Sequence, residues 1–174
     1  MEKRVIITNN KILNKCIITN KTIIQLSNSI KKIKLLNLKK CENLKKVYLP
    51  KDLEDIIHIT INKDVLNEYK GGYYLGTKNN PHLWLISISK KAKKVIIHRE
   101  CRGIAKRFIS KKNGPYQVEE IIIHNKIKSS LKYSSLRVNL NMLPKLKFNV
   151  DKDGYKCLGN DENPYMQKCG GKIK

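Results

Sequence analysis

A chain of 174 residues and 20.2 kDa holds one ordinary domain and excludes a large multidomain enzyme. Its 37 Lys and Arg against 14 acidic residues give a formal charge of +23, which points to a polyanion, whereas 40% hydrophobic residues argue against simple disorder. No stretch approaches the roughly 18 apolar residues of a membrane-spanning helix, so no membrane span is expected.

The opening residues, Met1 to Asn10, are basic like a signal peptide but lose their apolar character within a few positions. No export signal is expected, and the chain is assigned to the cytoplasm by default. The first strand is expected near residues 24–26. In Ile24-Gln25-Leu26 two apolar residues alternate around a polar one, a turn residue (Ser27) follows, and Ile30 and Ile33 return to the core. The pattern recurs one step later, from position 24 to position 47, with Val47 and Leu49 in a strand near 47–49, Pro50 in the turn, and Leu53 and Ile56 behind it.

About twice that step separates this unit from Val95-Ile96-Ile97, which has His98 in the turn and Cys101 and Ile104 behind. The doubled step contains an insertion, residues 66–88. In it Gly72-Tyr73-Tyr74-Leu75, a Gly- and Asn-rich break, and Leu83-Trp84-Leu85-Ile86 read as strand, turn, strand. After Ile104, the run Ala105-Lys106-Arg107-Phe108-Ile109 suits one helical turn on the convex side. Further strands are expected near 121–123, with His124 in the turn, and near 146–148. A second hairpin linker is expected over 148–166, because Gly72-Tyr73 and Leu75-Gly76 return as Gly154-Tyr155 and Leu158-Gly159. Repeat steps in this range mark leucine-rich solenoids, in which each short unit shares a continuous core with its neighbours.

The segments Cys41-Glu42-Asn43-Leu44-Lys45-Lys46-Val47-Tyr48-Leu49-Pro50 and Gly72-Tyr73-Tyr74-Leu75-Gly76 with Asn79-Asn80-Pro81 resemble the BspA-like leucine-rich-repeat family. In that family a C-x-x-L-x-x-V-x-I-P unit alternates with G-x-Y-L-G-x-x-x-N-P linkers. The resemblance runs over roughly residues 24–166. It implies a single leucine-rich-repeat domain over residues 1–174, a non-enzymatic scaffold that binds other macromolecules and often stands on cell surfaces. The chain departs from the pattern at Lys106-Arg107-Phe108-Ile109, where the family's convex Ala-Phe pair is degraded, and in having Pro after the strand only at Pro50. Its closing Gln167 to Lys174 reads as that of a shortened or degenerate member.

The expected fold class is therefore an α/β or mainly β repeat: a solenoid of short parallel strands with an irregular or short-helical convex side and a repeated hairpin linker. Its binding surface is expected at the outward strand positions Gln25, Tyr48, Ile96, Ile122 and Lys147, two of them apolar, which favours a protein partner. The alternative is an electrostatic binder of nucleic acid or another acidic polymer through stacked Lys90, Lys91, Lys93, Lys94, Arg99, Arg102, Lys106 and Arg107. His98 and His124 share a repeat position and would lie within about 5 Å at strand spacing. Both nevertheless stand where the repeat needs a turn residue, and no carboxylate set accompanies them. His58 and His82 have no partner at informative spacing. The five cysteines, odd in number and without a C-x-x-C pair, argue against disulfides or structural zinc, and Cys16, Cys41 and Cys101 read as small buried hydrophobes. No nucleophile elbow, phosphate loop or zinc helix occurs, so no catalytic residue, metal or cofactor is expected.

Overall fold

A computed structural model describes residues 3–8, 22–109 and 115–122. Short apolar and β-branched runs separated by turn residues make strands almost throughout; a 3-10 turn at Lys63–Val65 is the sole helical element among the described residues. Strands β1 (Arg4–Ile7), β2 (Ile23–Leu26) and β4 (Lys46–Tyr48) form one parallel sheet. Strands β3 (Lys32–Asn37) and β5 (Asp55–Thr60) form a second parallel pair, and β9 (Lys94–Ile96) and β11 (Glu120–Ile122) another. The chain coils through these sheets as a mainly β solenoid of about four turns. Among the described residues no helix is long and apolar enough to cross a membrane.

Hydrogen-bond register follows the sequence repeat. Ile24 lies opposite Val47 and Ile33 opposite Ile56, each exactly one repeat step on, and Val95 lies opposite Ile121 after a slightly longer step. All these residues are buried. The four described strands of the repeat each begin and end within one residue of expectation, with residue 123 and the units near 146–148 and 148–166 outside the described residues.

The positions that return to the core do more than dip. Ile33 and Leu36, and Ile56 and Ile59, are buried in β3 and β5, while residues 34 and 35 and their counterparts 57 and 58 face outward together. This spacing of three replaces strict alternation and marks a corner in the coil: the regular pairing lapses at Lys34 and Ile57 between two short paired runs. A further strand precedes the repeat, with β1 pairing β2 from Arg4 opposite Ile23 to Ile7 opposite Leu26. Its offset from β2 is shorter than the repeat step, which hid it in the apolar opening of the chain.

The inserted hairpin fills the doubled step. β6 (Asn67–Tyr69), β7 (Gly72–Leu75) and β8 (Trp84–Ile88) are antiparallel neighbours, and β8 pairs in parallel with β10 (Gly103–Ile104). The β6–β7 turn holds two residues, Lys70 and Gly71, at φ of 40° and 83°; positive φ at both centres suits the right-handed twist of a hairpin. A bridge from Tyr48 to Gly76 lays the end of this hairpin beside the first sheet, where the missing rung would stand. No helix forms after Ile104, where Phe108 N–H closes a single turn on the Ala105 carbonyl at 3.1 Å. The amides of Lys106 and Arg107 instead donate to the carbonyls of Ile56 and Ile57 at 2.9 and 3.0 Å, because the edge of β5 offers acceptors that need partners. Two buried clusters make the core, one under the first rungs around Ile24, Leu36 and Ile56, the other around Tyr74, Leu85, Val95, Cys101 and Val118.

Candidate binding surface and histidine cluster

Parallel pairing places Ile6, Gln25 and Tyr48 side by side on three successive strands, with Gly76 next to Tyr48. Their neighbours in sequence, Ile7, Ile24, Leu26, Val47 and Leu49, are buried, so this row is the outward face of the sheet. Gln25 and Tyr48 are half-buried, and Ile6, which the repeat did not reveal, is 59% exposed. Ile96 and Ile122 are also half-buried and lie opposite one another on β9 and β11. Lys147 lies outside the described residues.

The eight basic candidates divide among three places. Lys90, Lys91, Lys93 and Lys94 are exposed on the turn that leads into β9, and the segment bearing Glu119 and Glu120 docks against that turn. The amide of Glu119 donates to the carbonyl of Lys93 at 2.7 Å, and Lys94 Nζ meets Glu120 Oε2 at 2.8 Å. Arg99 and Arg102 are exposed beyond β9. Lys106 Nζ bonds Asp55 Oδ2 at 2.7 Å, and Asp55 in turn lies opposite Lys32 in the β3–β5 register. On this edge an acidic rung therefore separates two basic ones, instead of the continuous basic ridge that stacked lysine clusters would produce. Arg107, exposed, sits near His58. Burial, and secondarily the Arg107 charge, hold the His58 pKa below its usual value.

His98 serves its turn as the repeat position requires. Its carbonyl accepts from Cys101 N–H at 2.8 Å and its Nδ1 accepts from Glu100 N–H at 3.2 Å. Ser27 makes the same two bonds in its own rung, from Ile30 and Ser29 at 3.0 and 3.3 Å. His124 lies outside the described residues. The partner of His98 among the described residues is His82: the two imidazoles stack at 4.3 Å between centroids and 22° between planes. Sequence spacing gave no sign of this pair, because the inserted hairpin supplies one ring and the following rung the other. Tyr69 and Tyr74 close the cluster edge-on, at 4.7 Å from His98 and 5.3 Å from His82. Burial pushes the Tyr74 phenol well above its usual range, and its oxygen accepts from His98 N–H at 3.2 Å.

Asn80 ties the loop of the hairpin to this corner. Its Oδ1 accepts from His82 N–H at 3.0 Å and its Nδ2 donates to the Glu100 carbonyl at 3.0 Å. Gly76 is required beside it, because a Cβ there would collide with the Asn80 carbonyl. The Leu75-Gly76 and Asn80-Pro81 elements of the linker are thus explained as structure. Cys41 and Cys101 are buried, and burial pushes the Cys101 thiol up to about 11. Cys16 lies outside the described residues. Among the described residues no group of three or more His, Cys, Asp or Glu could hold a metal ion. Comparison with protein-family models, curated proteins and solved structures finds no match to this chain.

Proposed function

We propose that the chain is a non-enzymatic leucine-rich-repeat scaffold, of the BspA-like kind its motifs resemble, that binds a protein partner through its strand face. The observation that carries this reading is the row Ile6, Gln25 and Tyr48, held in register on three parallel strands and directed away from the core. An aliphatic side chain 59% exposed at one end and a tyrosine at the other are the groups that protein interfaces favour at their centres. Ile96 and Ile122 extend the apolar character onto the β9–β11 pair. Electrostatic binding of a nucleic acid or another polyanion is the weaker reading, because Lys94 and Lys106 already meet carboxylates.

Proteins retained from an extract of the producing cells on the immobilised chain should separate the two. With Tyr48→Asp and Ile96→Asp combined, and circular dichroism unchanged, a specific partner should be lost, while the native chain keeps it in about 0.5 M salt, a strength at which phosphate-type contacts fail by orders of magnitude in affinity. Retention by the double variant, or loss with salt alone, would overturn the strand-face reading.

A further inference from the structure

The stacked histidines bridge two parts of the chain that are also joined by bonds from Asn80 to the Glu100 carbonyl, from His98 N–H to the Tyr74 oxygen and from Arg102 N–H to the Leu83 carbonyl. His82 belongs to the loop between β7 and β8, and His98 to the turn that follows β9. We propose that the His82–His98 stack is a proton-operated latch, which fastens the hairpin linker to the β9 rung while both rings are neutral and releases it when they are charged. Stacking at 4.3 Å suits two neutral imidazoles and opposes two imidazolium ions. His98 has a second stake in neutrality. Its Nδ1 accepts from Glu100 N–H, so a proton at that nitrogen would set two donors against each other and break the turn bond.

The groups around the pair act consistently. Burial chiefly, and then the neighbouring His98, hold His82 below its usual pKa, opposed by the Glu100 carboxylate. Tyr69 and Tyr74 present ring edges from β6 and β7, and Lys70 stands over Tyr69, 5.4 Å from its centroid. Arg99 and Cys101 occupy the same turn as His98. A histidine whose folded pKa is lowered binds its proton more readily when released, so its stabilising effect is complete above the unfolded value of 6.5 and declines as pH falls below it. The parallel rungs at β2–β4 and β3–β5 hold no member of the pair. Release should therefore be confined to one corner.

Amide hydrogen exchange of the full chain at pH 7.5 and 5.0, corrected for the chemical exchange rate, tests this. Protection in residues 76–82 and 98–101 should fall by at least about tenfold at the lower pH, with β2, β3, β4 and β5 unchanged. His82→Gln with His98→Asn, in which the introduced amide's carbonyl can replace Nδ1 as acceptor, should abolish the difference, and His58→Gln should leave it intact. Should the double variant fail to fold, the His82 Cε1 proton of the native chain supplies the test: it should titrate below 6.5, together with the loss of protection. Unchanged protection in the native chain, persistence of the loss in the double variant, its disappearance in His58→Gln, or a His82 midpoint at or above 6.5 would each overturn the latch.

Discussion

Asn80 and Gly76 show how single residues hold the inserted linker to the solenoid. The Asn80 amide uses its two ends on two different segments, accepting from His82 N–H and donating to the Glu100 carbonyl. Asn80→Asp keeps the acceptor but turns a carboxylate toward a carbonyl oxygen, and it should cost about 1–3 kcal/mol in chemical denaturation, whereas a loss under about 0.5 kcal/mol would contradict this role. The motif that suggested a linker from sequence was legible because Gly and Asn are residues whose special backbone and side-chain uses leave a pattern. The histidine stack left none, since two rings brought together across a fold carry no spacing signal. Cys101 offers a second residue-level check. With its thiol pushed up to about 11, only about one molecule in a thousand is thiolate at pH 8. Cys101 should resist alkylation in the native chain and react once urea unfolds it; prompt native labelling at Cys101 would show that the position is open.

At the scale of elements, period decides what can be read. The repeat step was visible because paired strands place equivalent apolar residues at equal intervals, and Ile24–Val47 and Ile33–Ile56 sit in that register. The corner in β3 and β5 was not, because two inward residues three apart resemble a helical pattern as much as a bent strand. The same ambiguity lies in residues 105–109, which suit a convex helical turn in sequence and where the backbone closes a single turn and completes the edge of β5. Adjacent leucines test the corner directly. Leu36 is fully buried and Leu35 is 50% exposed. Leu36→Ala should cost about 2–5 kcal/mol and Leu35→Ala under about 1 kcal/mol by urea unfolding. A larger loss at Leu35 than at Leu36 would mean that the strand alternates and the corner is misplaced.

Over the whole molecule, the charge of +23 and the repeat compete to define function. The fold breaks up the basic surface by inserting Asp55 between Lys32 and Lys106, and by setting Glu120 against Lys94. Two histidines contribute a pH response near neutrality: His58 and His82 both have lowered pKa values, so each binds less proton in the fold than in the unfolded chain as pH falls through about 6.5. The melting temperature should fall as pH drops through that value, and His58→Gln should shallow the fall; a melting temperature that rises on acidification would contradict both shifts. The strand face itself is tested most directly by photocrosslinking in the producing cells, with a photoreactive amino acid placed singly at Gln25, Tyr48 or Ile96, and at Lys34 and Lys51 as exposed controls away from the row. A common protein adduct from the three strand positions, absent from the controls and lost with Ile6→Asp, is the predicted result. Equal adducts from the controls, or adducts to nucleic acid alone, would contradict a protein-binding strand face.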